Sequence, residues 1–195
     1  MVHIITDSAS DLQPQEYEKL GVTCIPLRVA FGDAEYQENV DLDKNQFYEL
    51  LLSEGEFPKT SQAAPAVLEG IFEDVKARGE EAIYITLSSS LSGTYQTACM
   101  VREDVEHPGN HVFDGKNATG GQRMLVEYAC RLRDEGRDAA GIMAGLESIR
   151  DGSSCMPVSI RWSICTRAVE FPTRSIPWAV WPRSSPSSPW MPRAR

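Results

Sequence analysis

Apolar residues recur along the first 150 positions in two alternating rhythms. Short unbroken runs read as strands, and longer stretches with apolar residues three or four apart read as helices. Val2-His3-Ile4-Ile5 is the first short run, and it ends in Thr6-Asp7-Ser8. Asp11 and Pro14 open a helix to Leu20, with Gly21 as its stop. Cys24 to Phe31 reads as one β-like stretch, and Gly32-Asp33 as a turn leading to Tyr36. Asp41 is expected to cap a helix running through Leu52 that Gly55 closes. Pro65 fits the first turn of a helix to Arg78, with Gly79 beyond its end. Ala82–Leu87 is a strand and Gly93–Glu106 a helix; His111-Val112-Phe113 is a strand ending in Asp114. Gly121–Glu135, stopped by Gly136, and Asp138–Arg150, with Ile142, Leu146 and Ile149 on one face, complete the series. Strands alternating with helices of this length predict an α/β fold with a parallel, doubly wound sheet.

In such sheets ligands sit outside the carboxyl ends of the strands. Four polar clusters fall at those ends or in nearby loops: Thr6-Asp7-Ser8, Thr60-Ser61-Gln62, Ser88 to Thr94, and Asp114 to Asn117. Between Thr86 and Ser92, five residues carry hydroxyls, and Gly93 follows. A turn of this kind before a helix offers hydroxyl donors, backbone amides and a helix N-terminus, which together suit a phosphate or carboxylate. The same residues would also serve simply as caps and turn formers. Asp7 and Asp114 fit either general-base or metal-ligand roles, or the capping of loops by accepting from neighbouring amides.

Composition narrows the chemistry. The chain has 195 residues and a net charge of −9, which disfavours a nucleic-acid partner. No apolar run approaches bilayer-spanning length, and the N-terminus carries no signal-peptide pattern, so a cytoplasmic protein with at most transient membrane contact is expected. Five cysteines without a CxxC spacing read as buried thiols. A serine nucleophile, Ser92 or Ser89, would need a base; His3, His107 and His111 stand in no G-x-S-x-G or S-x-x-K context. No metal-binding spacing or Walker sequence occurs, so neither metal nor cofactor is expected. The local chemistry suggests holding an anionic head group without transforming it. A serine-dependent α/β hydrolase or transferase stands as the alternative, and a truncated, non-functional product as another.

Four segments carry a resemblance: "IITDSASDL" (4–12), "IPLRVAFGDAEYQENVDL" (25–42), "PKTSQAAP" (58–65) and "ITLSSSLSGTYQTA" (85–98). In order, spacing and context, residues 1–150 resemble the DegV family of bacterial fatty-acid-binding proteins, which includes the lipid-presenting subunits of fatty acid kinase. The resemblance implies a two-domain protein that holds one long-chain fatty acid for a fatty acid kinase catalytic subunit, with no catalytic residue of its own. It places the carboxylate on Thr60 and Ser92, with Ser61, Ser89 and Gly93 as neighbours. Thr6, Asp7, Ser8 and Asp114 are possible supports. The acyl chain would lie in an apolar pocket between domains, at about 0.8 kcal/mol per buried CH₂.

Past residue 150 the pattern breaks. Residues 151–195 hold six Arg, no Lys and two acids, a charge of +4 against −13 for residues 1–150, together with all four Trp and seven of the 12 Pro. The resemblance calls for D-T-L-x-Y-L-x-K-G-G-R-I here. Joining the last base of each codon to the first two of the next permits D-T-L-E-Y-L-Y-K-G-G-R-I-P from Ser159 onward. Trp178-Ala179 is forced to Gly, and Met156-Pro157 and Trp181-Pro182 to Ala. Residues 151–195 are therefore expected to be a frameshifted remnant of the linker and the start of a second domain, with irregular structure.

Overall fold

The protein, described by a computed structural model, is seen over residues 1–53 and 57–150. The expectations for Gly55, Cys155, Cys165 and the frameshifted segment lie outside the described residues. The chain runs β1 (Val2–Asp7), a 3₁₀ turn (Ser8–Ser10), α1 (Pro14–Leu20), β2 (Val22–Ile25), β3 (Arg28–Phe31), β4 (Ala34–Gln37), α2 (Lys44–Ser53), β5 (Lys59–Ser61), α3 (Pro65–Arg78), β6 (Glu81–Thr86), α4 (Thr94–Val105), β7 (Asn110–Asp114), α5 (Thr119–Asp134) and α6 (Ala139–Arg150).

Four strands form the expected parallel sheet, in the order β2-β1-β6-β7. Both faces are covered, which is why these strands are nearly continuous apolar runs. Period-two alternation splits each strand between two cores. Ile4, Ile83, Ile85 and Phe113 pack with Leu125, Val126 and Ala129 of α5 and with Ile142 and Leu146 of α6. On the other face, Ile5, Ala82, Tyr84 and Val112 pack with Leu68, Phe72 and Val75 of α3 and with Ala98 and Val101 of α4. Helix ends follow the sequence signals: Gly21, Gly79 and Gly136 all take positive φ after α1, α3 and α5.

Three expectations change. The stretch Cys24–Phe31 is two strands in two sheets: β2 ends the parallel sheet, whereas β3 is the centre of a separate antiparallel sheet, β4-β3-β5. Pro26 lies between them and has no N–H to continue a ladder. Thr60 and Ser61 are accordingly strand residues of that second sheet, facing Val29 and Arg28 in register. At α2 the cap is Asp43 rather than Asp41. Asp43 Oδ1 accepts from the Gln46 amide at 2.9 Å while Gln46 Oε1 accepts from the Asp43 amide at 3.0 Å, a reciprocal capping box. Asp41 instead closes a turn, its Oδ2 accepting from the Gln37 amide at 3.3 Å.

The small sheet and α2 enclose a third, thin core of Val29, Phe31 and Leu42, against which Phe47, Leu50 and Leu51 pack while half exposed. No residue of α2 is buried.

Candidate functional site

Register puts the ends of β1, β6 and β7 side by side, since Thr6 pairs with Ile85 and Thr86 with Asp114. The chain passes very close here: a Cβ on Gly115 would lie 2.6 Å from the Thr86 carbonyl oxygen, so only glycine follows Asp114 without displacement.

Each strand-end aspartate accepts from the amides of neighbouring loops. Asp7, fully buried, accepts from the Ala9 amide at 3.1 Å, the Leu87 amide at 2.9 Å and Gln122 Nε2 at 2.9 Å. Burial pushes its pKa up to about 6, against the pull of those three donors, and Glu38 adds to the rise. Thr6 donates to the Ile85 carbonyl at 2.9 Å and accepts from Gln122 Nε2 at 3.1 Å. Ser8 donates to Glu38 Oε2 at 2.6 Å and accepts from the Leu27 amide at 3.0 Å. Asp114 Oδ1 accepts from the amides of Ser89 and Lys116, at 3.1 and 3.0 Å, while its Oδ2 accepts from the Ser89 hydroxyl at 2.5 Å. Thr6, Asp7, Ser8 and Asp114 thus hold loops together. Gln122 belongs to the same network, but nothing about a single glutamine in an amphipathic helix marks it in the sequence.

The hydroxyl-rich turn is almost completely satisfied from within and beside itself. Ser88 N–H donates to the Asn117 carbonyl at 2.8 Å. Ser90 N–H donates to Ser88 Oγ at 3.2 Å, and the Leu91 and Ser92 amides reach the Ser88 carbonyl at 2.9 and 3.2 Å. Ser92 Oγ accepts from the Thr94 amide at 3.3 Å and pairs with the Thr94 hydroxyl at 2.9 Å. Gly93 N–H is the first amide after β6 that makes no hydrogen bond among the described residues. Beyond it, the opening amides of α4 point out of the helix, as at any N-terminus.

Thr60, Ser61, Gln62, Ser92 and Gly93 meet in one cleft of about 410 Å³, with Leu27, Leu87 and Leu91 as its apolar wall. Two regions distant in sequence therefore converge: the exposed strand β5 and the half-buried turn before α4. Gln62 Oε1 accepts from the Thr97 hydroxyl at 3.0 Å, tying the strand side to α4. Ser89 is not in this cleft; it faces Asp114. Thr60 also lines a second cavity of about 300 Å³, with Val29, Leu42 and Phe47 as floor and Asp11, Glu38 and Lys44 at the rim. Among the described residues, no lysine or arginine lines the first cleft.

Among the described residues, the cleft lining offers hydroxyls and an amide but no histidine, carboxylate or lysine to act as a base for Ser92. His3 and His107 are bonded to Glu80, which precedes β6 and so stands at the opposite end of that strand. Among the described cysteines, Cys130 is buried and Cys24 and Cys99 are half-buried. Burial pushes the Cys24 and Cys130 thiols up to about 11, so both are protonated at neutral pH. Among the described residues no helix is long and apolar enough to cross a membrane, and no group of acidic, His and Cys side chains is placed to hold a metal ion.

Comparison with known proteins adds to the geometry. The profile described as "Uncharacterised protein, DegV family" matches residues 1–158. A DegV domain-containing protein of Caldanaerobacter subterraneus subsp. tengcongensis is 36% identical over 143 residues, which are 73% of this chain and 51% of that one. The solved structure of a fatty acid (stearic acid)-binding protein from Eubacterium ventriosum superposes with a TM-score of 0.68 at 29% identity, over 75% of this chain and 52% of that one. DegV from Bacillus subtilis, described as a fatty acid binding protein, superposes with a TM-score of 0.71 at 28% identity, over 77% and 54%. The chain thus spans about half the length of the curated relatives it matches.

Proposed function

The chain belongs to the DegV family, and from that premise we propose that it binds a long-chain fatty acid by its carboxylate in the cleft between β5 and the turn before α4. The carrying observation is the convergence of Thr60, Ser61, Ser92 and Gly93 on one cleft, with the Gly93 amide unused among the described residues. A carboxylate taken from water needs several donors, and charge-assisted hydrogen bonds offset its desolvation. The hydroxyls of Thr60, Ser61 and Ser92, the Gly93 amide and the N-terminus of the 12-residue helix α4 supply them. Leu27, Leu87 and Leu91 shield the first carbons of the chain. Walls for the rest of the acyl chain, and a basic partner for the head group, would belong to the part of the relatives that this chain does not span.

A cage of hydroxyls and amides holds a carboxylate without attacking it, which supports a binding protein that presents its ligand to a fatty acid kinase rather than an enzyme. We also propose that residues 151–195 are the shifted-frame reading of a second domain. Sequencing the DNA across codons 145–195 tests this: an open frame that encodes residues 151–195 and has no K-G-G-R-I reading one base out of step with it would remove the proposal.

Native mass spectrometry of the purified 195-residue chain tests the binding reading. A mass increment matching a fatty acid, displaced by added stearate and less populated in the Ser92→Ala variant, is the expected result. A chain that neither carries a fatty acid nor takes up stearate would overturn it.

A further inference from the structure

We propose that Asp114 is a positioning residue for the carboxylate cleft: it touches no ligand, and it fixes the turn that carries Ser92 by holding Ser89. The inference rests on the carboxylate-binding reading above and reassigns two residues within it. Ser89 has two donors, and both go to Asp114, the amide at 3.1 Å and the hydroxyl at 2.5 Å. Neither is left for a ligand, so Ser89 contributes its place in the chain rather than a contact. Asp114 has the wrong charge to touch a fatty-acid carboxylate, since two like charges at contact repel.

The hold on the turn is not diffuse. Three consecutive amides after β6 are each gripped from outside the turn: Leu87 by Asp7 at the end of β1, Ser88 by the Asn117 carbonyl in the loop after β7, and Ser89 by Asp114 at the end of β7. The same Asp114 oxygen that accepts from Ser89 accepts from the Lys116 amide, so the carboxylate staples the 88–92 turn to the loop after β7. From Ser89 onward the turn depends on itself, through Ser88, until Ser92 and Gly93 reach the cleft. Asp114 is therefore the last external anchor before the residues that face the ligand. Ordering a binding loop in advance raises affinity by removing the entropy otherwise lost on binding.

Asparagine separates holding from charge. In Asp114→Asn the carbonyl oxygen can still accept from both amides, and the NH₂ can donate to the Ser89 hydroxyl, which accepts as readily as it donates. Asp114→Ala removes all three contacts. Amide hydrogen exchange over residues 87–94 and stearate titration are measured on the full chain and on both variants, together with the thermal midpoint. In Asp114→Ala, exchange at Ser89–Ser92 is expected to accelerate at least tenfold and stearate affinity to fall about tenfold. Its thermal midpoint should stay within a few degrees of the parent, and Asp114→Asn should restore exchange and affinity to within about twofold. Unchanged exchange in Asp114→Ala, or an Asp114→Asn as impaired as Asp114→Ala, overturns the proposal. Loss of the fold in Asp114→Ala would make the residue structural and overturns it too. Should the parent chain take up no stearate, the binding reading fails by itself. Positioning is then decided by exchange alone: fast in Asp114→Ala and restored in Asp114→Asn upholds it, and no difference between the three overturns it.

Discussion

The two sheets of this molecule differ in how deeply they are built. The parallel sheet has helices on both faces, and most of β1 and β6 is buried. The antiparallel sheet has strands of four, four and three residues, a core of three buried side chains, and a helix with none. The proposed ligand site takes one wall from each. Ser92 and Gly93 stand on a turn anchored to the ends of β1 and β7 in the deep sheet, while Thr60 and Ser61 stand exposed on the edge of the shallow one. The difference teaches that rigidity in this site is one-sided: the turn is fixed in advance, and the strand is held mainly by β3 and by the Gln62–Thr97 contact.

The largest test of that asymmetry is a pair of truncations. Phe72 is fully buried between the parallel sheet and its helices, so Phe72→Ala should lower stability by about 3–5 kcal/mol. Phe47 is half-exposed on α2 and meets Phe31 edge-on at 5.6 Å, and Phe47→Ala should lower it by about 1–2 kcal/mol. Urea unfolding of both variants measures the gap. Equal losses would erase the distinction between the sheets.

A second test uses the buried charge in the deep region. Asp7 has a pKa near 6 in the folded protein against an ordinary value of 3.8, so the folded state holds the proton more tightly than the unfolded chain does. That contribution is fully favourable at low pH and is lost as pH rises from about 4 through 6, by about 3 kcal/mol in all. Compared with Asp7→Asn in urea at a series of pH values, the parent chain should therefore gain relative stability as pH falls from 7 to 4. A difference that does not change with pH would mean that the charge is better solvated than its position indicates.

The smallest effect belongs to the shallow region. Asp43→Ala removes the capping box of α2 and should weaken that helix by about 1 kcal/mol. Hydrogen exchange should rise across Lys44–Ser53 with little change in the global unfolding midpoint. Coupled loss of the parallel sheet would show that the two regions unfold as one.

The same asymmetry explains what could be read from the sequence. Strands buried on both faces produce unbroken apolar runs such as Ala82–Leu87, and Gly21, Gly79 and Gly136 punctuate the helices at positive φ. The α/β class and nearly all element positions follow from those two signals. The shallow sheet gives weaker ones. Half-exposed strands of three or four residues carry little pattern, so Cys24–Phe31 reads as one strand until Pro26 is weighed as a break. Asp41 and Asp43 compete as caps within one turn, and only the reciprocal bond with Gln46 decides. In the cleft, hydroxyl clustering marks the turn that lines it, but not which hydroxyls are free. Ser89 and Ser92 look alike in sequence; Asp114, 25 residues away from Ser89, takes one of them out of the cleft.

A double-mutant cycle on stearate affinity, with Thr60→Ala, Ser92→Ala and the two combined, tests most directly the claim that both regions grip one carboxylate. Each single change should weaken binding roughly ten- to a hundredfold, the loss of one hydrogen bond to a charged group. The double variant should fall short of the product of the singles by a coupling of about 0.5–3 kcal/mol, because both hydroxyls act on the same ligand atoms. A dissociation constant unmoved by either single substitution, or strictly independent effects of the two, would contradict a shared site.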